Sequence, residues 1–177
     1  MLNRREAALS FGALWTALAL PASALAQATP TLAWSPKAVS ASQALTLDAV
    51  CEAIIPATDT PGARAAGVPQ FVDRTLAIYS TPADAAAIKA GLDQVDRDAQ
   101  AAHGAPFARL TPAQQQALLV GYERDGKAFF RTLKELVTTG YFTSEPGATI
   151  ALRYDPVPGV YRGCVPLKEI GRGWATT

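Results

Sequence analysis

The sequence predicts an all-α fold, a small bundle of four to five helices followed by a long C-terminal tail. Three observations predict it. Apolar residues recur at helical spacing in several segments before residue 140, and no alternating strand pattern persists there. Thr-Pro pairs, which are typical of helix starts, occur twice. The chain of 177 residues is 49% hydrophobic and 18% charged, an ordinary balance for a folded protein.

The first 26 residues have the order of a secretory signal peptide: basic residues, an apolar run, then small residues. Arg4 and Arg5 precede the apolar run, which is shorter than the roughly 20 residues that a spanning helix needs. Ala24 and Ala26 are the candidate cleavage positions, and we place cleavage after Ala26. The paired arginines indicate the twin-arginine pathway, with a general secretory signal as the alternative. We therefore expect export to the periplasm.

Charge argues against two classes of partner. Removing residues 1–26 takes Arg4, Arg5 and Glu6 from 16 basic and 15 acidic residues, which leaves a formal charge of zero. No basic stripe is visible, so nucleic acid is not expected as a partner. The mature chain has no segment that would span a membrane. Proteins without net charge tend to associate, which favours the interpretation of this chain as a subunit of a complex.

Residues 27–45 are predicted to be a linker, and residues 46–139 the helical bundle. The first helix is expected to start at Thr46, as the N-cap, with Asp48 in its first turn. Pro56 then ends it. Its buried stripe is predicted to be Leu47, Val50, Cys51 and Ile54.

Three further elements follow at helical spacing. The second helix begins after Gly67, and its buried face is predicted to be Val68, Phe71, Val72 and Tyr79. The third starts at Thr81-Pro82 and ends before Gly104, with Ile88, Leu92, Val95 and Ala99 buried. The fourth starts at Thr111-Pro112 and extends to Thr139, with a kink or split at residues 124–126.

Residues 140–177 are predicted to be a docking segment of the same domain. The segment is punctuated by Pro and Gly, yet it holds five aromatic residues, and disordered tails are poor in aromatics. It is expected to wrap the bundle, a partner, or both, since Tyr and Trp are favoured interface anchors. The predicted partner contacts are Tyr141, Phe142, Tyr154, Tyr161, Cys164, Val165 and Leu167.

No catalytic, cofactor or metal site is predicted. His103 is the single histidine, so a metal site with several histidines is excluded, and a surface position at a helix end is the expected one. The aspartates at 93, 96 and 98 lack the glycine and bidentate glutamate of a calcium loop and are interpreted as a solvated helix face. No G-x-G-x-x-G or Walker motif occurs.

The two cysteines leave two pairings open. A disulfide between Cys51 and Cys164 would join the tail to the bundle, as expected for an exported protein. Alternatively, Cys51 is a small buried residue and Cys164 forms a disulfide with another subunit. In the third case both thiols are free.

Four motifs resemble the small-subunit family of gluconate 2-dehydrogenase (subunit 3). They are residues 53–63 with 66–68, Phe129-Phe130 with Leu133, residues 140–145, and residues 158–161 with 163–167. The resemblance implies a periplasmic, non-catalytic accessory subunit. Its implied partner is a large FAD-containing subunit of the glucose–methanol–choline oxidoreductase type, which oxidises a sugar, polyol or sugar acid.

The resemblance further implies a role in maturation and export of the large subunit, similar to that of a chaperone. It places FAD, together with an iron–sulfur cluster and haem c where these occur, in partner subunits. In many such assemblies a multihaem cytochrome c subunit joins the heterodimer and associates it with the membrane. Two rivals remain: a stand-alone periplasmic helical binding or structural protein, and an independent enzyme that uses His103 or the acidic helix face.

Overall fold

The computed structural model describes residues 32, 34–157, 159–160 and 163–175, Leu167 without its side chain. Within these residues the chain is all-α, as predicted. The longer helices are α1 (Ala41–Ile54), α2 (Val68–Ile78), α3 (Pro82–His103), α4 (Pro112–Arg124) and α5 (Ala128–Phe142). Three short segments accompany them, a 3-10 turn (Phe107–Arg109), a π-helical turn (Gly147–Ala151) and α6 (Leu167–Ile170).

Helix α1 begins at Ala41, five residues before the predicted start at Thr46. Ser40 is the N-cap, and its hydroxyl accepts from the backbone N–H of Gln43 while the Gln43 side chain accepts from the N–H of Ser40. Thr46 instead lies inside the helix, where its hydroxyl donates to the carbonyl of Ser42 at 3.3 Å. The prediction was wrong because the capping box of Ser40 and Gln43 starts the helix about one and a half turns earlier, which leaves Thr46 in the helix interior.

Part of the predicted linker therefore belongs to the folded domain. The backbone N–H groups of Lys37, Ala38 and Val39 donate to the buried carboxylate of Asp73 on α2, at 2.7, 2.9 and 3.1 Å. Three N–H donors compensate the cost of burying a charge. This contact joins the residues before α1 to the second helix of the bundle.

The starts of α3 and α4 confirm the Thr-Pro predictions. Thr81 and Thr111 are N-caps whose hydroxyls accept from backbone N–H groups three residues on, and Gly104 ends α3 in the left-handed region with φ 70°. The predicted split after Arg124 is also present. Gly126, with φ 62°, lets the N–H of Lys127 reach the carbonyl of Tyr122 at 3.1 Å, so α4 ends and α5 starts anew.

Helix α1 is central, because it packs against α2, α3, α4, α5 and the 3-10 turn. The predicted stripes of α1 and α3 are buried, except that Ile54 is half-exposed at the end of α1. On α2 the prediction was partly wrong: Val68 and Val72 are buried, but Phe71 is 36% and Tyr79 72% exposed, and Leu76 occupies the buried position. The reason is that α2 ends at Ile78, so Tyr79 no longer follows its helical face.

Candidate interaction site

Asp93, Asp96 and Asp98 of α3 each have their own hydrogen-bond partner. Asp93 accepts from the Gln43 side chain at 2.9 Å, and Asp96 accepts from the backbone N–H of Phe107 at 3.0 Å. Asp98 accepts from the Tyr122 hydroxyl at 2.6 Å, and burial followed by this hydrogen bond raises the pKa of Tyr122. Asp93 is exposed, whereas Asp96 and Asp98 are half-buried, so the interpretation as a solvated face was wrong for the latter two, which connect α3 to neighbouring segments.

Within the described residues, no group of three His, Cys, Asp or Glu side chains is arranged to hold a metal ion. His103 is exposed at the last residue of α3, as predicted, and its Nδ1 lies 3.4 Å from the Gln114 side-chain nitrogen. A cavity of about 210 Å³ between α1, α4 and α5 is lined in part by Ile54, Leu119 and Phe130.

Cys51 lies in the core of α1 and is fully buried. Burial, followed by the nearby carboxylates of Asp48 and Glu52, raises the pKa of its thiol. A thiol held in its protonated form reacts slowly, because the thiolate is the nucleophile. Cys51 is therefore a small packed residue and not a reactive one.

Cys164, in contrast, is exposed, and both cysteines are free thiols in the described chain. The predicted disulfide between Cys51 and Cys164 is not formed. Because the Cys51 side chain is enclosed by the bundle, a bond to Cys164 would need the tail to enter the core or α1 to turn outward. The alternative, in which Cys164 pairs with another subunit, stays a prediction.

We expect the two thiols to differ sharply towards a thiol-reactive dye. In the purified, reduced protein at pH 8, Cys164 should react at once, whereas Cys51 should react only after denaturant is added. The measurement is the number of thiols labelled before and after unfolding. The Cys164→Ser variant is the control, and it should show no rapid labelling. Rapid labelling of Cys51 in that folded variant would contradict its buried position.

The loop between α1 and α2, residues 55–67, is held by side chains from two helices. Glu52 accepts from the backbone N–H groups of Ala57 at 3.2 Å and Arg64 at 2.9 Å, and the Arg64 guanidinium donates to Asp48 at 2.7 Å. From α5, the hydroxyl of Tyr141 donates to the carbonyl of Pro61 at 2.7 Å. This loop, which carries the first resemblance motif, is thus tied to both α1 and α5.

Tyr141 is therefore not the partner contact that was predicted. Its side chain is fully buried, and its ring packs edge-on against Phe142 with centroids 5.2 Å apart. The tertiary hydrogen bond to Pro61, 80 residues away in sequence, gives the hydroxyl a partner inside the fold. Phe142, the next residue, is 38% exposed and remains available at the surface.

The tail follows the π-helical turn and returns to it. The N–H of Arg153 donates to the carbonyl of Gly173 at 2.8 Å, and the N–H of Ala175 donates to the carbonyl of Arg153 at 2.9 Å. The Arg153 guanidinium lies over the Trp174 ring, 4.4 Å from its centroid. Arg172 also donates to the carbonyl of Ile150. These contacts join the two ends of the segment that contains the described residues 154–157, 159–160 and 163–173, which we call the tail loop.

This tail loop places several of the predicted contacts at the surface. Tyr154 is 47% exposed, Cys164 is exposed, and Val165 is half-buried. Leu167 begins α6, and its side chain lies outside the described part. Tyr161 and the signal residues Arg4, Arg5, Ala24 and Ala26 also fall outside the described residues.

Sequence reasoning missed two surface residues of this loop, Val157 and Val160, which are 80% and 83% exposed. The prediction named two aliphatic contacts, Val165 and Leu167, but none between Tyr154 and Tyr161. The sequence does contain a signal that these valines are exposed. They stand next to Pro156 and Gly159, in a segment without the periodic spacing of a buried helix or strand face. Exposed apolar side chains that lie close together indicate a binding surface.

Comparison with known proteins gives one result. The chain matches the family model described as gluconate 2-dehydrogenase subunit 3 over residues 41–159, roughly two thirds of its length. The chain belongs to this family. Comparisons with curated proteins and with solved structures found no significant match.

Membership confirms the resemblance drawn from the motifs. The matched range starts at the first residue of α1 and ends in the tail loop, next to Val157 and Val160. A family described as a dehydrogenase subunit belongs to a multi-subunit complex, which implies partner subunits. Among the described helices none is both long and apolar enough to cross a membrane.

Proposed function

We propose that this protein is the non-catalytic small subunit of a periplasmic, FAD-dependent dehydrogenase complex that oxidises a sugar, polyol or sugar acid. Its partner is a large flavoprotein subunit of the glucose–methanol–choline type, with which it forms a heterodimer. FAD belongs to that partner, and an iron–sulfur cluster and haem c, where the complex has them, belong to partner subunits. A cytochrome c subunit associates such a complex with the membrane.

The observation that carries the proposal is the family match over α1 to the tail loop. Two features of the chain support a docking role. The bundle buries its core side chains around α1, and Ile78 and Tyr79 are its most exposed large apolar residues. The tail loop exposes Tyr154, Val157 and Val160, and the two valines are more exposed than any large apolar side chain of the bundle.

The proposed role in export rests on the sequence of residues 1–26. The paired Arg4 and Arg5 address the chain to a pathway that moves folded proteins, so a partner already loaded with flavin would travel with it. Binding only the folded partner stabilises that partner by mass action, by about 2.7 kcal/mol when the small subunit is at 100 times its Kd. Maturation, export and stability thus follow from one binding event.

The experiment is to purify the protein with a C-terminal tag from the periplasmic fraction of its host and to identify co-purifying proteins by mass spectrometry. A stoichiometric flavoprotein is expected, together with its characteristic flavin absorbance. A non-reducing gel of the same sample tests whether Cys164 links the two chains, and a thiol-sensitive heterodimer that is lost in Cys164→Ser is expected.

The matched control for export is the Arg4→Lys, Arg5→Lys variant, which keeps the charge but removes the twin-arginine pattern. Both chains should then stay in the cytoplasm. A monomer recovered under gentle conditions would contradict the accessory role and favour a stand-alone binding or structural protein. Oxidation of a substrate by the isolated chain would contradict its assignment as non-catalytic.

A further inference from the structure

The tail loop has an organised turn at its exposed end. The carboxylate of Asp155 accepts from the N–H of Val157 at 3.1 Å, which fixes the backbone on one side. Val157 precedes a proline in the sequence, which restricts it to extended backbone geometry. Gly159, directly before Val160, has φ 69°, a left-handed value that favours glycine. We call residues 154–157 and 159–160 the valine turn.

The valine turn is apolar, exposed and without charge at its end. Val157 and Val160 are the two most exposed large hydrophobic residues in the described part of the chain. The carboxylate of Asp155, the charged group within the turn, is directed to the turn's own backbone. A surface of this kind fits a dry, uncharged pocket and would bind an acidic or basic surface poorly.

We propose that the valine turn inserts Val157 and Val160 into an apolar pocket of the large partner subunit, and that Arg153 and Trp174 position it. The proposal rests on the proposed function and names the contact through which the two subunits associate. Burying two valine side chains corresponds to a gain of roughly 100-fold in affinity.

Arg153 and Trp174 act as positioning residues because they join the ends of the tail loop next to the bundle. Arg153 directly precedes the valine turn, while Trp174 lies at the far end of the loop, 21 residues later. Their contact and the two backbone hydrogen bonds beside it hold the two ends of the loop together, and Arg172 also donates to the carbonyl of Ile150 in the π-helical turn. A loop held in its bound geometry loses less conformational entropy on docking.

The test measures binding of the small subunit to the co-purified large subunit, with the tag on the large subunit so that the tail is free. The Val157→Ser, Val160→Ser double variant should raise Kd by about 100-fold. Val120→Ser is the matched control, since Val120 is also exposed but lies on α4, and it should leave Kd unchanged. Thermal unfolding of both variants should remain at the wild-type midpoint.

The positioning role has its own readout. Trp174→Ala should raise Kd by about tenfold while the bundle unfolds at its wild-type midpoint. Arg153→Ala should do the same, and Arg153→Lys should restore most of the binding because a cation again lies over the indole ring. If Arg153→Lys bound as weakly as Arg153→Ala, the assignment of the Trp174 contact would be wrong.

Three outcomes would overturn the proposal. Wild-type affinity in the double serine variant would show that the two subunits associate elsewhere, and the proposed function would survive. A wild-type homodimer that the double substitution separates would make a second copy the occupant. A wild-type chain that binds no large subunit in the same assay would remove the proposed function together with this contact.

Discussion

Replacing Phe107 with alanine is expected to lower the free energy of unfolding by about 3–5 kcal/mol, the range for truncating a fully buried phenylalanine. The side chain of Phe107 is fully buried, although it lies in the short connection between α3 and α4. Its loss would leave a cavity where α1 packs against the 3-10 turn. Urea unfolding followed by circular dichroism measures the effect.

The backbone of Phe107 makes relaxation into that cavity difficult. Its N–H donates to Asp96 on α3 at 3.0 Å, and its carbonyl accepts from the Gln115 side chain on α4 at 2.9 Å. Because both groups are fixed from opposite sides, the connection cannot move inward to fill the space. We therefore place the expected loss in the upper part of the range for large-to-small substitutions.

Two variants calibrate this prediction. Phe107→Leu keeps an apolar side chain in the site and should cost about 1.5 kcal/mol or less. Tyr79→Ala truncates an aromatic residue that is 72% exposed, and it should change stability by no more than about 0.5 kcal/mol. An equal loss in Phe107→Ala and Tyr79→Ala would refute the assignment of Phe107 to the core.

The second large effect is expected at Asp73, whose replacement with alanine should cost about 3 kcal/mol. Three backbone N–H groups, those of Lys37, Ala38 and Val39, would lose a charged acceptor at once. An unsatisfied buried donor costs about 1–3 kcal/mol, and the donors nearer the surface would recover part of this loss from water. Urea unfolding gives the total.

The loss of stability in Asp73→Ala should be concentrated at the start of α1. Ser40, the N-cap of α1, directly follows the three donors, so release of residues 37–39 should loosen the start of α1. Hydrogen exchange should accelerate at those amides and in the first turn of α1, while α5 stays protected. Asp73→Asn keeps one acceptor oxygen and should lose about half as much. Asp59→Ala, at an exposed carboxylate, is the control and should have little effect.

Some features of this fold are local, and the sequence predicts them well. Thr81 and Thr111 cap their helices through side chains that reach only three residues, and Gly126 breaks α4 from α5 by its own backbone freedom. The stripe Ile88, Leu92 and Val95 has one periodicity and no competing signal. Even the start of α1 was readable in principle, since Ser40 and Gln43 form a capping box.

The candidate site depended more on tertiary contacts. Tyr141 and Phe142 are adjacent aromatic residues, and from the sequence both are predicted equally well to be interface anchors. The carbonyl of Pro61 accepts the Tyr141 hydroxyl and places that ring in the core, which leaves Phe142 at the surface. Likewise, a disulfide between Cys51 and Cys164 is a reasonable prediction for a chain with two cysteines. The tertiary structure places Cys51 in the core and Cys164 at the surface, so the two thiols do not pair.

By itself, the sequence determined the helical class, most helix ends, the export signal as an expectation, and the family, because capping, periodicity and motifs are properties of neighbouring residues. The tertiary structure decided which side chains are buried in the fold and which remain exposed. Asp73, Phe107 and Tyr141 are enclosed by segments distant in sequence, whereas Val157 and Val160 are left exposed on a loop joined at Arg153 and Trp174. Burial is a sum over such distant contacts, so no local pattern along the chain specifies it.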